Sequence, residues 1–214
     1  MKTIALLGGT FDPIHLGHLG FAHAVLDQKI ADEIRFMIAY KPIHREQPKA
    51  APNDRFQMLS LAIENIPGFE IEPYEFQQQK PMATVQTLQH LRTLYSDASL
   101  CLMIGMDQFA AFHEWHEWQR IPTLAHLIVA ERPEAQWPDS GPMASEITKR
   151  LTQNPEDLRN QPAGCILGLN MPMIDISATA IRMMLQTGKT PKNALPAEVA
   201  DYIVQQNLYN ERNQ

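Results

Sequence analysis

The chain alternates short, almost continuous apolar runs with longer segments that carry apolar residues at helical spacing. The apolar runs predict β-strands at residues 3–8, 33–39, 69–73, 100–105, 127–131 and 165–169. The helical spacing predicts helices at residues 16–28, 54–66, 84–95, 179–187 and 196–207. Runs such as CLMIG and LIVAE consist almost entirely of apolar residues, which is typical of parallel strands covered by helices on both faces. The sequence therefore predicts an α/β fold, a Rossmann-like three-layer sandwich with a mostly parallel sheet.

The length and composition favour a single domain. The chain has 214 residues, of which 44% are hydrophobic and 20% charged, as in an ordinary globular protein. Two stretches rich in proline and charge, residues 40–52 and 131–142, are predicted to be loops rather than linkers between domains. We therefore expect one domain over residues 1–214, with a C-terminal helical portion at about 177–209 packed on it.

Composition also limits the location and the partners. Apolar stretches are far shorter than the roughly 20 residues of a membrane span, and Gly8, Gly9 and Asp12 interrupt what would be the apolar region of a signal peptide. We expect a cytoplasmic protein that does not associate with membranes. The net charge of −6 lacks the broad basic surface of a nucleic-acid binder, so small anions are the better candidates for a ligand.

The stretch GGTFDPIHLGH connects the first predicted strand to the first predicted helix. In open α/β sheets, ligands bind at the carboxyl ends of the strands, where this loop lies. Gly8 and Gly9 let the backbone approach a bulky anion, and the N-terminus of the following helix favours negative charge. His15 and His18, three residues apart on the first helical turn, can both donate to a phosphate. Glycines also occur in purely structural turns, but the histidine pair beside them predicts a phosphate site.

The same stretch resembles the first signature of the nucleotidyltransferases, whose histidines have the form His-x-Gly-His, and as a whole it is similar to that of the nicotinate mononucleotide adenylyltransferase family. A second signature, ISATAIR at residues 176–182, resembles that family's Ile-Ser-x-Thr-x-Ile-Arg. Further matches between them are KPIHR, PMATVQTL, IGMD, FHEWHEW and AHLIVAERP. The resemblance therefore covers essentially the whole chain.

The resemblance implies a nucleotidyltransferase fold and a specific reaction. Members of this family transfer the adenylyl group of ATP to nicotinate mononucleotide, which gives nicotinate adenine dinucleotide and pyrophosphate in NAD biosynthesis. The expected partners are these two small molecules, with Mg²⁺ bound to the ATP phosphates as the cofactor. Two histidines, His113 and His116, have no compelling third ligand, so we expect no metal site on the protein itself. Whether the chain is a monomer or a homo-oligomer stays open.

The resemblance also assigns roles to individual residues. The expected catalytic residues, which act as a cationic clamp on the phosphates, are His15, His18 and Arg182. The expected ATP-binding residues are Gly8, Gly9, Thr10, Phe11, Gly105, Asp107, Ile176, Ser177 and Thr179. The expected mononucleotide-binding residues are Tyr40, Lys41, His44, Arg45, Ala83, Thr84 and Trp115.

The chain departs from the family pattern where the nicotinate should bind. It has Met82, Ala83 and Thr84 where the family usually has Ser-Tyr-Thr, and its loop with Tyr40 and Lys41 is one residue shorter. A related adenylyltransferase that prefers nicotinamide mononucleotide therefore stays open as an alternative. So does a nucleotide-binding sensor that has lost turnover, although such a sensor would not need the histidines and Arg182.

Overall fold

The computed structural model describes residues 1–43, 47–131, 136–171, 176–189, 191 and 193–210. Within these residues, one sheet contains the strands β1 (Thr3–Gly9), β2 (Glu33–Ile38), β3 (Phe69–Glu72), β4 (Ser99–Gly105), β5 (His126–Glu131), β6 (Leu151–Thr152) and β7 (Ile166–Asn170). The strands are ordered β3-β2-β1-β4-β5-β7-β6, and every neighbouring pair is parallel. The predicted α/β class and parallel sheet are confirmed.

Helices connect the strands. They are α1 (Leu16–Asp27), α2 (Pro52–Ile63), α3 (Tyr74–Gln78), α4 (Thr84–Leu94), α5 (Met106–Ala110), α6 (Ile121–Leu124), α7 (Gly141–Arg150), α8 (Asp157–Asn160), α9 (Ala178–Gln186) and α10 (Ala197–Gln205). All five predicted helices are present, although α2 begins and ends earlier than expected. Its first residue is Pro52, because proline suits the first turn of a helix.

Apolar side chains cover both faces of the central strand. Along β1, Ala5 and Leu7 belong to one buried cluster, and Ile4 and Leu6 belong to another on the opposite face. Successive residues of a strand point to opposite faces, so this alternation means that each face of the sheet has its own core. The predicted three-layer arrangement is confirmed.

The sheet places a crevice at the carboxyl ends of its central strands. From β1 the sheet extends to β2 and β3 on one side and to β4 and the later strands on the other. In open α/β sheets, ligands bind at the carboxyl ends of the strands, at the point where the strand order changes direction in this way. Gly9 ends β1 and Gly105 ends β4, so the loops that follow both strands border this crevice.

The C-terminal segment packs against the first core. Val199 and Ile203 of α10 are buried in the same cluster as Leu7, and the backbone N–H of Leu16 donates to the carbonyl oxygen of Ala194 at 2.9 Å.

That the whole chain forms a single domain stays a prediction. In the part of the chain described here, no helix combines the length and the apolar character needed to cross a membrane.

Candidate active site

The two signature segments meet in one cavity of about 510 Å³ at the carboxyl end of β1. We call it the imidazole cavity and define it by His15, His18 and Arg182. The other predicted residues that line it are Gly8, Gly9, Thr10, Phe11, Gly105, Ile176, Ser177 and Thr179. The fold therefore brings the expected catalytic residues and all but one of the expected ATP-binding residues to the same place.

His15 directly precedes α1 and His18 lies in its first turn, and the two rings stack with centroids 3.7 Å apart. The backbone N–H of His15 donates to Nδ1 of His18 at 3.3 Å. Nδ1 is the acceptor in this bond, so Nε2 is the ring nitrogen of His18 that can carry the proton. Nδ1 of His15 is buried and has no hydrogen-bond partner among the described residues, so Nε2 is the atom that His15 can offer to a ligand. Both rings can therefore donate from Nε2.

Burial affects the protonation of His15. Desolvation lowers the pKa of His15 to about 4, so this imidazole is neutral near pH 7. The positive charge expected on His15 stays a prediction, because a phosphate held against this ring would raise its pKa again. The guanidinium of Arg182 lines the same cavity.

Two close approaches explain the glycines of the first signature. The ring of Phe11 lies over Gly9, where an added Cβ atom would be 2.7 Å from the ring. Similarly, a Cβ atom at position 17 would be 3.0 Å from Nδ1 of His15. A Cβ atom does not fit at position 9, and one at position 17 fits only if the His15 ring shifts by a few tenths of an ångström. Phe11 in turn contacts the ring of His18 edge-on, at 5.1 Å between centroids.

Asp12 holds several parts of the site together, a role that the sequence did not reveal. Its carboxylate accepts hydrogen bonds from the backbone N–H groups of Lys49 and Ala50 at 2.8 and 3.1 Å, and from the hydroxyl of Tyr209 at 2.8 Å. Its carbonyl oxygen accepts from Nη1 of Arg182 at 2.8 Å. In the sequence, Asp12 stands before a proline, which reads simply as a turn.

Arg55, also missed in the sequence, ties together the loops that follow β1 and β2. Its side chain is fully buried. Its guanidinium donates to the carbonyl oxygens of Thr10, Ala39 and Tyr40 at 2.7, 2.7 and 2.6 Å. Burial lowers the pKa of Arg55, and the nearby carboxylate of Asp12 acts in the opposite direction. The three bonds from Nη1 and Nη2 offset part of the cost of burying this charge.

Helix α9 presents Arg182 to the cavity. Ser177 caps its N-terminus by accepting a hydrogen bond from the backbone N–H of Ala180 at 3.1 Å. Nη2 of Arg182 donates to Oγ1 of Thr179 at 3.2 Å. The cap, the hydroxyl and the guanidinium therefore lie at the same end of α9, where the helix dipole also favours an anion.

A second cavity, of about 460 Å³, adjoins the first. We call it the apolar cavity and define it by Met37, Ile43 and Trp115. The residues that line both cavities are Gly8, Gly9, Thr10, Ile104 and Gln108. A molecule in one cavity can thus contact a molecule in the other beside the loop that follows β1.

The apolar cavity contains three of the expected mononucleotide-binding residues, namely Ala83, Thr84 and Trp115. It also contains Asp107, which was expected to bind ATP but does not line the imidazole cavity. Glu75, a lining residue on α3, was missed because a lone glutamate in a short helix gives no signal in the sequence.

The remaining mononucleotide-binding predictions fall on the loop after β2. Tyr40 and Lys41 line neither of the two cavities, although the following residue, Pro42, lines the apolar one. The ring of Tyr40 instead contacts Phe76 edge-on at 5.7 Å between centroids. His44 and Arg45 lie outside the described residues. The roles predicted for these four residues stay predictions.

Across the described ranges, no three His, Cys, Asp or Glu side chains gather in a way that could hold a metal ion. In the imidazole cavity, both carboxylate oxygens of Asp12 already accept hydrogen bonds from the protein. Asp12 is therefore occupied as a structural acceptor.

Comparisons with known proteins agree on one family. The profile of the cytidylyltransferase-like family matches residues 6–184. A probable nicotinate-nucleotide adenylyltransferase of Hydrogenovibrio crunogenus is 38% identical to this chain over 97% of its length and 98% of the relative's. A protein of Aeromonas salmonicida with the same name is 41% identical over 96% of both chains.

A solved structure has the same fold. Nicotinic acid mononucleotide adenylyltransferase of Plasmodium falciparum, in complex with NaAD, superposes with a TM-score of 0.74 at 18% identity and covers 98% of both chains. The family profile spans both signature segments, and the curated relatives match over nearly their full length. This chain belongs to the cytidylyltransferase-like family and, within it, to the nicotinate-nucleotide adenylyltransferases.

Proposed function

We propose that this chain transfers the adenylyl group of ATP to nicotinate mononucleotide and produces nicotinate adenine dinucleotide and pyrophosphate for NAD biosynthesis. The observation that carries the proposal is that His15, His18 and Arg182 line one cavity, and that this cavity shares the wall formed by Gly8 and Gly9 with the cavity of Trp115. The names of the curated relatives support the same reaction.

The main obstacle to this reaction is electrostatic, because the phosphate of the mononucleotide must approach the triphosphate of ATP. Two like charges about 4 Å apart repel by about 4 kcal/mol at an effective dielectric constant near 20. About 1.4 kcal/mol corresponds to a tenfold change in rate. Donors and a positive charge that are fixed in advance around the phosphates therefore accelerate the reaction by orders of magnitude.

In the imidazole cavity, the triphosphate lies against the loop after β1. The backbone N–H groups of Gly9, Thr10 and Phe11 face its oxygens, and the Nε2–H groups of His15 and His18 donate to them. An oxygen of the mononucleotide phosphate attacks the α-phosphorus of ATP while the bond from that phosphorus to the oxygen of pyrophosphate breaks. No side chain needs to accept a proton or to form a covalent intermediate.

Arg182 and the N-terminus of α9 receive the pyrophosphate that leaves. The guanidinium is held by the carbonyl oxygen of Asp12 and by Thr179, so it does not have to reorganise during the reaction. Ile176 and Ser177, which precede α9, complete this end of the ATP site.

The mononucleotide occupies the apolar cavity. The ring of Trp115 stacks on the cationic pyridine, and the backbone N–H groups at the start of α4, near Ala83 and Thr84, bind its carboxylate. Asp107 lines this cavity, so we assign it to the ribose of the mononucleotide rather than to that of ATP. His44 and Arg45 are proposed to contact the mononucleotide phosphate, and Tyr40 or Lys41 before them is proposed to supply part of the nicotinate recognition that the altered segment at Met82 and Ala83 has lost.

Magnesium enters as part of the ATP substrate. The oxygens of Asp12 already accept hydrogen bonds from the protein, so this carboxylate is not available as a ligand. Mg²⁺ commonly keeps several waters and binds through substrate phosphates. Excess EDTA should therefore abolish turnover, and added Mg²⁺ should restore it. Undiminished turnover after exhaustive chelation would contradict a role for the ion.

Pyrophosphate release from ATP tests the proposal directly. We expect release with nicotinate mononucleotide and at least tenfold lower kcat/KM with nicotinamide mononucleotide. Equal efficiencies or a preference for the amide would favour the alternative acceptor. Binding of ATP without release of pyrophosphate, with either acceptor, would favour a sensor without turnover.

The cytoplasmic location expected from the sequence stays a prediction.

A further inference from the structure

Gln108 lies where the two cavities of the site adjoin. It belongs to α5, the short helix after β4, and it lines both the imidazole cavity and the apolar cavity. The other residues that line both are two glycines, an isoleucine and Thr10, so Thr10 and Gln108 have the side chains that can form hydrogen bonds on this shared wall. Thr10 already has an expected role in binding ATP, whereas Gln108 has no role in the reaction described above.

A hydrogen bond to the backbone fixes which end of the Gln108 amide is free. Its Oε1 accepts from the backbone N–H of Gly105, the residue before α5, at 3.3 Å. Only the carbonyl end of an amide can accept this bond, so the NH2 group is the other end. Within the part of the chain that the structure describes, Nε2 has no hydrogen-bond partner. The partly buried side chain therefore has its N–H donors left for a ligand.

The shared wall is built by two neighbouring strands. Gly8 and Gly9 end β1, and β4, which pairs with β1, leads through Gly105 to Gln108. In the proposed reaction, ATP lies against the loop after β1, and the phosphate of the mononucleotide reaches it from the apolar cavity. This phosphate therefore meets ATP beside the wall that Gln108 lines, and Gln108 stands on the β4 side of that wall.

We propose that Gln108 binds the phosphate of the mononucleotide and orients it for attack, with Nε2–H donating to an oxygen that does not react. This inference rests on the proposed function, but not on the choice between acid and amide, because both acceptors carry the same phosphate. The amide does not ionise, so it stays a donor whatever the pH. A hydrogen bond to an ionised acceptor is roughly twice as strong as one between neutral groups.

The variant Gln108→Glu separates this role from the capping of α5. Glutamate keeps an oxygen for the N–H of Gly105 and suits this position of a helix as well as glutamine does. If Gln108 only capped α5, Gln108→Glu would be tolerated better than Gln108→Ala.

We expect the reverse order of activities. The kcat/KM for the mononucleotide should fall about tenfold in Gln108→Ala, because a donor to a charged group is lost. It should fall about 10²-fold or more in Gln108→Glu, because the new carboxylate repels the phosphate. The KM for ATP in Gln108→Ala should stay within about threefold of the wild type, since ATP is bound by other groups.

Ala110→Glu is the matched control for the added charge. Ala110 is exposed on the same helix and lines neither cavity. We therefore expect this variant to keep kcat/KM within about threefold of the wild type, since an exposed charge is screened by solvent and salt. The thermal midpoint of each variant shows that it is folded.

A ligand without the phosphate tests the contact itself. Nicotinate riboside has the base and the ribose of the mononucleotide but no phosphate. In calorimetry without ATP, the Kd of nicotinate mononucleotide should rise about tenfold in Gln108→Ala, whereas that of the riboside should change less than about twofold.

Two results would overturn the inference. One is a Gln108→Glu variant at least as active as Gln108→Ala, which would mean that the side chain only caps α5. The other is an equal loss of affinity for the mononucleotide and the riboside, which would mean that Gln108 does not contact the phosphate. A wild-type chain that releases no pyrophosphate with either acceptor would contradict the proposed function itself, and the comparison of the two ligands would still test the contact of Gln108.

Discussion

His15 and His18 stack face to face at the end of β1, where each can present an Nε2–H group to a phosphate. Their neighbours fix this arrangement, since His18 accepts the backbone N–H of His15 and Gly17 leaves room for the His15 ring. Because burial lowers the pKa of His15 to about 4, pH changes between about 6 and 8 do not change its charge. What the fold fixes is the direction in which the His15 ring faces the cavity that Arg182 also lines.

Removing the donor of His18 should slow the chemical step. Loss of one pre-positioned donor to a transition-state charge costs about 10²-fold to 10³-fold in kcat. We expect His18→Ala to lower kcat by about 10²-fold and to change the KM for ATP less than threefold, measured by steady-state kinetics. His23→Ala, an exposed position on the same helix, is the control. Near-normal turnover of His18→Ala would remove the role proposed for this residue.

The glycine between the histidines should be needed for activity more than for folding. A Cβ atom at position 17 would lie 3.0 Å from Nδ1 and 3.1 Å from Cε1 of His15, so Gly17→Ala must displace this ring. We expect kcat to fall about tenfold, because small misplacements of catalytic groups are costly. The thermal midpoint should change little, since the nearest atoms belong to a side chain that can shift rather than to the backbone. A variant with unchanged kcat would mean that the ring position does not matter.

At the scale of elements, a buried histidine joins β5 to the segment that leads into β7. Nδ1 of His126 accepts the backbone N–H of Cys165 at 2.9 Å, and Nε2 lies 2.9 Å from the carbonyl oxygen of Gln161, to which it can donate. Both bonds require the neutral ring with its proton on Nε2. Burial accordingly lowers the pKa of His126.

This lowered pKa predicts how stability depends on pH. Below about pH 6.5, the unfolded chain binds a proton at His126 that the folded chain does not, so the free energy of unfolding falls as the pH falls. Asparagine can accept at the position of Nδ1 but does not titrate. We expect His126→Asn to be about 1 kcal/mol less stable at pH 7.5, and the gap to the wild type to narrow toward pH 5. Urea unfolding at several pH values measures this, and parallel curves would contradict it.

Elements could be predicted from the sequence where their pattern is long enough to repeat. The strand at residues 99–105 and the helix at 84–94 have such patterns, and both were expected within one residue. By contrast, α3 has five residues and α8 four, so an apolar period cannot be recognised in them. The expected loop at 131–142 contains the first two residues of α7, because a proline near the start of a helix reads as a turn.

The site itself could be predicted only where a local motif marks it. His15, His18 and Arg182 lie in two short signatures, and the fold brings them to one cavity. Arg55 and Asp12 stand in no such signature, because their importance comes from hydrogen bonds to residues distant along the chain. Contacts of this kind depend on the whole fold and cannot be recognised from neighbouring residues.

At the scale of the whole molecule, Asp12 joins the beginning of the chain to its end. Tyr209, which is 197 residues away, donates to its carboxylate, and Arg182 contacts both its carbonyl oxygen and, at 3.7 Å, its carboxylate. Burial, together with the negative charge of Asp12, raises the pKa of the Tyr209 hydroxyl, which therefore stays a donor at all ordinary pH values. The C-terminal segment thus supports the loop that holds the imidazole cavity together.

This link predicts that one hydroxyl group near the C-terminus stabilises the whole fold. Tyr209→Phe leaves the buried carboxylate of Asp12 without one of its donors, and hydrogen bonds to charged groups contribute about 1.5 to 3 kcal/mol. We expect urea unfolding to show a loss in this range, together with a lower kcat because Asp12 also holds Arg182. Tyr202→Phe is the matched control, since its hydroxyl donates to Asp54 at 2.9 Å in a more exposed position and should contribute less than 1 kcal/mol. Equal losses in the two variants would mean that the bond to Asp12 is no more than an ordinary surface contact.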